Sequence, residues 1–174
     1  MTLTYAAIVI GAFLIGSIPF GYVVGRLFYH TDIRRAGSGN IGAMNALRTL
    51  GKAGAGLVLL LDALKGFVPT LWAMHSLRSP PDQLVGAAVA AAAVLGHCFS
   101  PWLRLRGGKG VATSFGAIFA LCWPAGLVAV GGWIAGAAIT RYSSVGSMLG
   151  SLLAVIALWW FGRSTAETAY GLFA

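Results

Sequence analysis

Lys109 stands in the run Gly107-Gly108-Lys109-Gly110. Arg48 and Lys52 lie four residues apart, shortly after Ser38, Asn40, Gly42 and Asn45, and Arg141 precedes Ser143, Ser144 and Ser147. These residues fall in three short segments, Gly37–Lys52, Gly96–Gly116 and Arg141–Ser147, none of which contains Asp or Glu. Their cations therefore have no local countercharge. Glycine lets backbone N–H groups come close to an anion, and a helix N-terminus adds its dipole, so the pattern suits the holding of phosphate. Lys109, just before a helix expected from Val111, fits this best. Other readings stay open for single residues. Turn chemistry explains Asn40 and Asn45 equally well. Arg48, Lys52, Arg34 and Arg35 also read as charges that set membrane topology, and Ser143, Ser144 and Ser147 as caps for a helix starting near Val145. His97, at the end of an apolar run, reads either as a structural hydrogen-bonding group or as part of the basic loop beside it. Asp62 and Lys65, one turn apart inside an apolar run, read chiefly as a mutually neutralising pair, although ionisable groups within a membrane are suspects for function.

Several familiar sites are excluded. Gly37-x-Gly39-x-x-Gly42 spells a dinucleotide fingerprint, but no βαβ pattern surrounds it. Gly107–Gly110 lacks the spacing and the Ser/Thr of a P-loop. There is no GxSxG elbow and no HxxxxD pattern, since Arg35, Pro80 and Trp102 follow five residues after His30, His75 and His97. Cys98 and Cys122 lie outside any CxxC or Cys/His spacing and read as small buried thiols. Four acidic residues in all leave no acidic cluster for metal ions. The expected site thus uses no metal, no cofactor and no covalent enzyme intermediate.

The elements that must position these segments are membrane helices. The chain has 174 residues, 58% hydrophobic and 9% charged, against roughly 25% charged in soluble domains. Its net charge of +8, on so apolar a body, points to anionic lipid or a phosphorylated substrate rather than nucleic acid. The uncharged run Met1–Gly25 has no basic n-region and reads as an uncleaved span. Gly110–Thr140 is too long for one span and carries Trp123-Pro124 near its middle, so it splits into two short helices. The expected spans are 3–25, 54–75, 83–103, 111–122, 124–140, 145–162 and an incomplete 166–174, in a single domain. With the split, the positive-inside rule sets the N-terminus outside and all three polar segments in the cytoplasm. Gly21-xxx-Gly25, Gly132-xxx-Gly136 and Gly146-xxx-Gly150 are expected at close helix crossings.

The stretches Ser38–Lys52 (SGNIGAMNALRTLGK), Asp62–Gly66 (DALKG), Gly96–Gly116 (GHCFSPWLRLRGGKGVATSFG) and Arg141–Ser147 (RYSSVGS) resemble the bacterial acyl-phosphate:glycerol-3-phosphate acyltransferases of the PlsY type. The resemblance covers nearly the whole chain. It implies an all-α polytopic protein of the bacterial inner membrane with seven transmembrane helices. It also implies transfer of a fatty acyl group from acyl-phosphate to the 1-hydroxyl of glycerol 3-phosphate, giving lysophosphatidic acid and phosphate, and functional coupling to an enzyme that makes acyl-phosphate. Carried onto this sequence, Ser38 and Arg48 would bind glycerol 3-phosphate, with Asn40, Gly42 and Asn45 shaping the pocket. Gly107, Gly108, Lys109 and Gly110 would hold phosphate, supported by His97. Ser144 and Ser147 would contact a substrate phosphate, with Arg141 orienting their loop. Met44 stands where the family commonly has Thr. The family also continues through a complete seventh helix into a tail with a His-x-x-Asn pattern, whose polar residues join the site, and the sequence to Ala174 stops short of it.

Acyl-phosphate already carries a good leaving group, so the expected mechanism is direct attack by the hydroxyl. Lys109, Arg48 and Ser38 would position two anions and neutralise charge. The competing reading is a small membrane transporter of phosphorylated solutes. Transporter folds often carry inverted repeats, and none is visible in this sequence.

Overall fold

The computed structural model describes residues 2–76 and 82–161, and every regular element in them is helical. In order these are α1 (Thr2–Gly16), α2 (Phe20–Tyr29), α3 (Ala43–Ser76), α4 (Asp82–Cys98), α5 (Val111–Leu121), α6 (Trp123–Thr140) and α7 (Ser143–Phe161), with short 3-10 turns at Ile33–Arg35 and Pro101–Leu103. By length and composition, four helical stretches can cross a membrane: α3, Leu84–Leu103, α6 and α7. Counted as one bent span, α1 and α2 make a fifth. The expected segment 166–174 lies outside the described residues.

Three boundaries differ from expectation, each for a local reason. The single span expected over 3–25 is two helices meeting at 41°. The break is at Ser17-Ile18-Pro19, because proline has no N–H to continue the ladder and disfavours helix in the residue before it. The span expected over 54–75 starts earlier, at Ala43, and takes in Asn45, Arg48 and Lys52. It is kinked at Gly51, whose φ of 79° is one that glycine adopts without steric cost. The span expected over 83–103 leaves the α-helix after Cys98, since Pro101 holds Ser100 extended at ψ 117°. The split of Gly110–Thr140 is present. Cys122 is extended and Pro124 sits in the first turn of α6, where its missing N–H is not needed.

Neighbouring side chains give the helix directions. Tyr5, Ala6, Val9 and Ile10 of α1 line one groove with Leu84, Val85 and Ala88 of α4, while Ser17 meets Ser100 and Trp102, so α1 and α4 run the same way. α3 runs against them, with Met74 beside Gly86 and Asp62 beside His97. Gly110, at the start of α5, lies against Val94 and Cys98, and Leu121 reaches Gly86, so α5 also opposes α4. In the antiparallel pair α6 and α7, Gly136 faces Gly146 and Gly132 faces Gly150. The starts of α3, α5 and α7 and the ends of α2, α4 and α6 therefore share one end of the bundle. All three polar segments are at that end.

Most of the tight crossings rest on small residues, as association within lipid requires. The glycine pairs of α6 and α7 are in contact, as their spacing predicts. At the crossing of α3 and α5, a Cβ on Gly66 would run into the Thr113 carbonyl, and one on Gly116 into that of Ala63. Gly56 has nothing within 4 Å of the same position. Gly116→Leu should therefore destabilise the protein by about 1–3 kcal/mol or more, seen as a lower melting temperature in detergent. Gly56→Ala should leave the melting temperature unchanged or raise it slightly, alanine being the better helix former.

Candidate functional site

The first polar segment is a loop built around one side chain. Asn45 is buried at the start of α3. Its Nδ2 donates to the carbonyls of Ile33 (2.8 Å), Asn40 (2.8 Å) and Ala36 (3.2 Å), and its Oδ1 accepts from the Ser38 N–H (2.8 Å). The Asn40 side chain accepts from the Gly42 N–H at 2.8 Å. Asn45 and Asn40 thus hold the loop, while Ser38 on the loop and Arg48 on the first turns of α3 are exposed. Arg34, one of the cations read as a topology charge, is tied down. It grips Asp32 through Nε (2.9 Å) and Nη2 (2.7 Å) and lies 4.3 Å from the centre of the Tyr22 ring. The side-chain hydrogen bond from Arg34 is the main cause that lowers the Asp32 carboxyl to about 2; the Arg34 N–H and the charges of Arg34 and Arg26 add to it, against the opposing effect of burial.

The second segment begins where α4 ends. The Gly107 N–H donates to the Cys98 carbonyl (2.9 Å) and the Gly108 N–H to that of His97 (3.0 Å), so these two amides close α4 and do not point at a ligand. Gly110 follows at φ 81°, with no side-chain cap on α5. The first amide of α5 with a backbone acceptor is that of Ser114, to Gly110 at 2.7 Å. Among the described residues, the amides from Lys109 to Thr113 have no acceptor and the exposed Lys109 ammonium has no polar partner. The donor set for an anion is thus displaced towards Lys109 and the first turn of α5, away from the two amides expected at Gly107 and Gly108.

Beneath this loop lies a buried ionic cluster. Lys65 Nζ sits 2.7 Å from Asp62 Oδ1, the two side chains 1% and 2% exposed. His97 Nδ1 is 3.6 Å from the same Asp62 oxygen. Lys65 also donates to the Ile18 carbonyl (2.8 Å), and its ammonium lies 5.5 Å from the Phe20 ring centre. At the same break in the first span, the Ser100 hydroxyl donates to the Ser17 carbonyl (2.7 Å) and Trp102 Nε1 donates to Ser17 Oγ (2.8 Å). The mutual neutralisation read for Asp62 and Lys65 is present. Their link to His97 was not legible, because nothing in the spacing pairs residues 62 and 97.

In the third segment Arg141 ends α6 at φ 62°, exposed, and Ser144 is exposed on the first turn of α7. The Ser147 hydroxyl donates to the Ser143 carbonyl within the helix, at 2.9 Å. The first and second segments meet in one apolar cluster, in which Leu103 packs with Ile33, Ile41, Ala46 and Leu50. The third shares their end of the bundle, and further along α7 Gly150 lies against Phe115 of α5. Among the described residues, Arg48, Lys52, Arg104, Arg106, Lys109 and Arg141 have no polar partner, and no group of three His, Cys, Asp or Glu side chains could hold a metal ion. The arrangement can bind phosphorylated anions at a surface of uncompensated positive charge.

The family model described as glycerol-3-phosphate acyltransferase matches residues 6–174. A glycerol-3-phosphate acyltransferase of Synechococcus sp. (strain JA-3-3Ab) is 46% identical over 163 residues, 94% of this chain and 78% of the relative. One from Bradyrhizobium diazoefficiens is 49% identical over 166 residues, covering 95% and 81%. Among solved structures, the glycerol 3-phosphate form of PlsY (YgiH), an integral membrane glycerol 3-phosphate acyltransferase, superposes with a TM-score of 0.91 at 36% identity, over 98% of this chain and 84% of that one. Its lysophosphatidic acid form gives 0.89 at 35% identity, over 98% and 83%.

Two outcomes follow from the loop. Asn45→Ala strands the backbone groups it satisfies and should cost about 1–3 kcal/mol, read as a lower melting temperature in detergent. Asp32→Asn should also lower the melting temperature at pH 7. Because the folded carboxyl is held at about 2, below its ordinary 3.8, its contribution is complete above 3.8 and lost as pH falls from there towards 2. The gap between the two proteins should close over that window.

Proposed function

The chain belongs to the glycerol-3-phosphate acyltransferase family, and on that premise we propose that it transfers a fatty acyl group from acyl-phosphate to the 1-hydroxyl of glycerol 3-phosphate, releasing lysophosphatidic acid and inorganic phosphate. The observation that carries this reading is the open start of α5. There an exposed, unpaired Lys109 adjoins a run of amides without acceptors, at the N-terminal end of a helix. That is where the phosphate of the donor is held, with Gly110 allowing the turn and Gly107 and Gly108 fixing the loop from behind.

Glycerol 3-phosphate is held from the first segment. Arg48 pairs with its phosphate and Ser38 hydrogen-bonds to it, on the loop that Asn40, Gly42 and Asn45 shape. Arg141 and Ser144 add contacts from the third segment. Ser147, whose hydroxyl proton is engaged within α7, offers only its oxygen as an acceptor in this arrangement. The substrate hydroxyl oxygen attacks the acyl carbonyl carbon, and the bond from that carbon to the phosphate oxygen breaks. The hydroxyl proton passes to a phosphate oxygen. No enzyme nucleophile is needed, because phosphate is already a good leaving group and two bound anions need only be aligned and neutralised. The polar end faces the cytoplasm of a bacterium, with the helices in its inner membrane and an enzyme that generates acyl-phosphate supplying the donor.

Purified protein incubated with acyl-phosphate and glycerol 3-phosphate should release inorganic phosphate, and acyl-CoA should not replace the donor. Lys109→Ala and Arg48→Ala should each lower kcat/KM by about 100-fold or more, the size of effect seen when one stabilising contact to developing charge is removed. Near-normal turnover in both variants would overturn the site, and equal turnover with acyl-CoA would overturn the donor.

A further inference from the structure

An ammonium and a carboxylate buried in hydrocarbon need a reason. Taking both out of water costs several kcal/mol for each ion, and well-packed apolar side chains in their place are often no less stable. Stability alone therefore does not account for Asp62 and Lys65. Their contacts suggest another account, because they form one continuous line through the molecule. The Ile18 carbonyl, at the break between α1 and α2, accepts from the Phe20 N–H at 3.0 Å and from Lys65 Nζ at 2.8 Å. Lys65 pairs with Asp62 at 2.7 Å, and the same Asp62 oxygen lies 3.6 Å from His97 Nδ1, a buried atom that has no hydrogen-bond partner among the described residues. The imidazole lies directly against Gly108, where an added Cβ would run into the ring. The His97 carbonyl accepts the Gly108 N–H at 3.0 Å, and the next residue is Lys109.

We infer that Asp62 and Lys65 are positioning residues: a buried ionic strut that sets the Gly107–Gly110 loop through His97 and fastens it to the break in the first span. The pair touches neither substrate. Its effect reaches the reaction only through the placement of Lys109 and the amides beside it, so the kinetic part of the inference rests on the reading of Lys109 given above. The strut is not part of the first segment, so binding of glycerol 3-phosphate at Ser38 and Arg48 does not depend on it.

The experiment compares wild type with the double variant Asp62→Leu/Lys65→Met, which removes both charges together and strands neither. Hydrogen exchange of the Gly107 and Gly108 amides is followed in lipid nanodiscs, with kcat and KM measured by phosphate release. Exchange at these amides should rise by about 10-fold or more while that of α6 and α7 stays unchanged. The kcat should fall by about 10-fold or more, with KM for glycerol 3-phosphate within about twofold of wild type. Unchanged exchange in the loop overturns the inference. So does a rise in KM for glycerol 3-phosphate that matches the fall in kcat, since that is the mark of a generally loosened fold. If the double variant does not fold, His97→Phe decides. It keeps the ion pair and the ring but removes the nitrogen facing Asp62, so fast exchange confined to the loop supports the strut and unchanged exchange overturns it. Lys109→Ala, run alongside, separates the two readings: if it turns over normally while loop exchange responds as stated, the strut stands and the role of Lys109 falls.

Discussion

A backbone carbonyl released inside a membrane must find a donor, since lipid offers none. The break at Pro19 leaves the Ser17 carbonyl without a backbone donor and that of Ile18 with only the Phe20 N–H, at 3.0 Å. Much of the rest of the molecule is arranged to meet that need. The Ser100 hydroxyl takes one and the Lys65 ammonium the other, while the Ser17 side chain receives the indole of Trp102. Three stretches far apart in sequence are thereby drawn to one point: the break, the middle of α3 and the loop after α4. Once Lys65 is placed there it requires a countercharge, and Asp62 supplies it one turn earlier.

The charges divide into two populations with opposite roles. Arg26, Arg34 and Arg35 gather round Asp32, and Lys65 is matched by Asp62, so these are internal and structural. The remaining cations at the polar end stand without partners on exposed loops and helix starts. Near a surface of low dielectric such charges are screened less than in bulk water and act together on an approaching anion. Asp32 and Asp62 are thus placed where they stabilise a loop and the core.

Much of this was legible in the sequence. The length of Gly110–Thr140 with Pro124 near its middle demanded two helices, and that in turn put the three basic segments at one end. The glycine pairs of α6 and α7 announced their contact through spacing alone. The break at Pro19 was missed because Met1–Gly25 has an ordinary length for one span, and length outweighed the proline. The use of Asn45 as a loop organiser was left open, since an asparagine near glycines serves a turn or a ligand equally well. The resemblance gives Gly107 and Gly108 to a phosphate, but the helix C-terminus just before them takes their amides for its own free carbonyls. The approach of His97 to Asp62 is a purely tertiary fact.

The length of α5 has a consequence for where the reaction can occur. At about 1.5 Å per residue, its 11 residues rise about 16 Å, whereas the 18 of α6 rise about 27 Å. The two helices meet at Cys122, at the far end, so α5 stops about 10 Å short of α6 along its own axis. On the proposed function, a short α5 suits a long-chain donor, whose acyl tail can stay among lipid tails while its phosphate is held at Lys109.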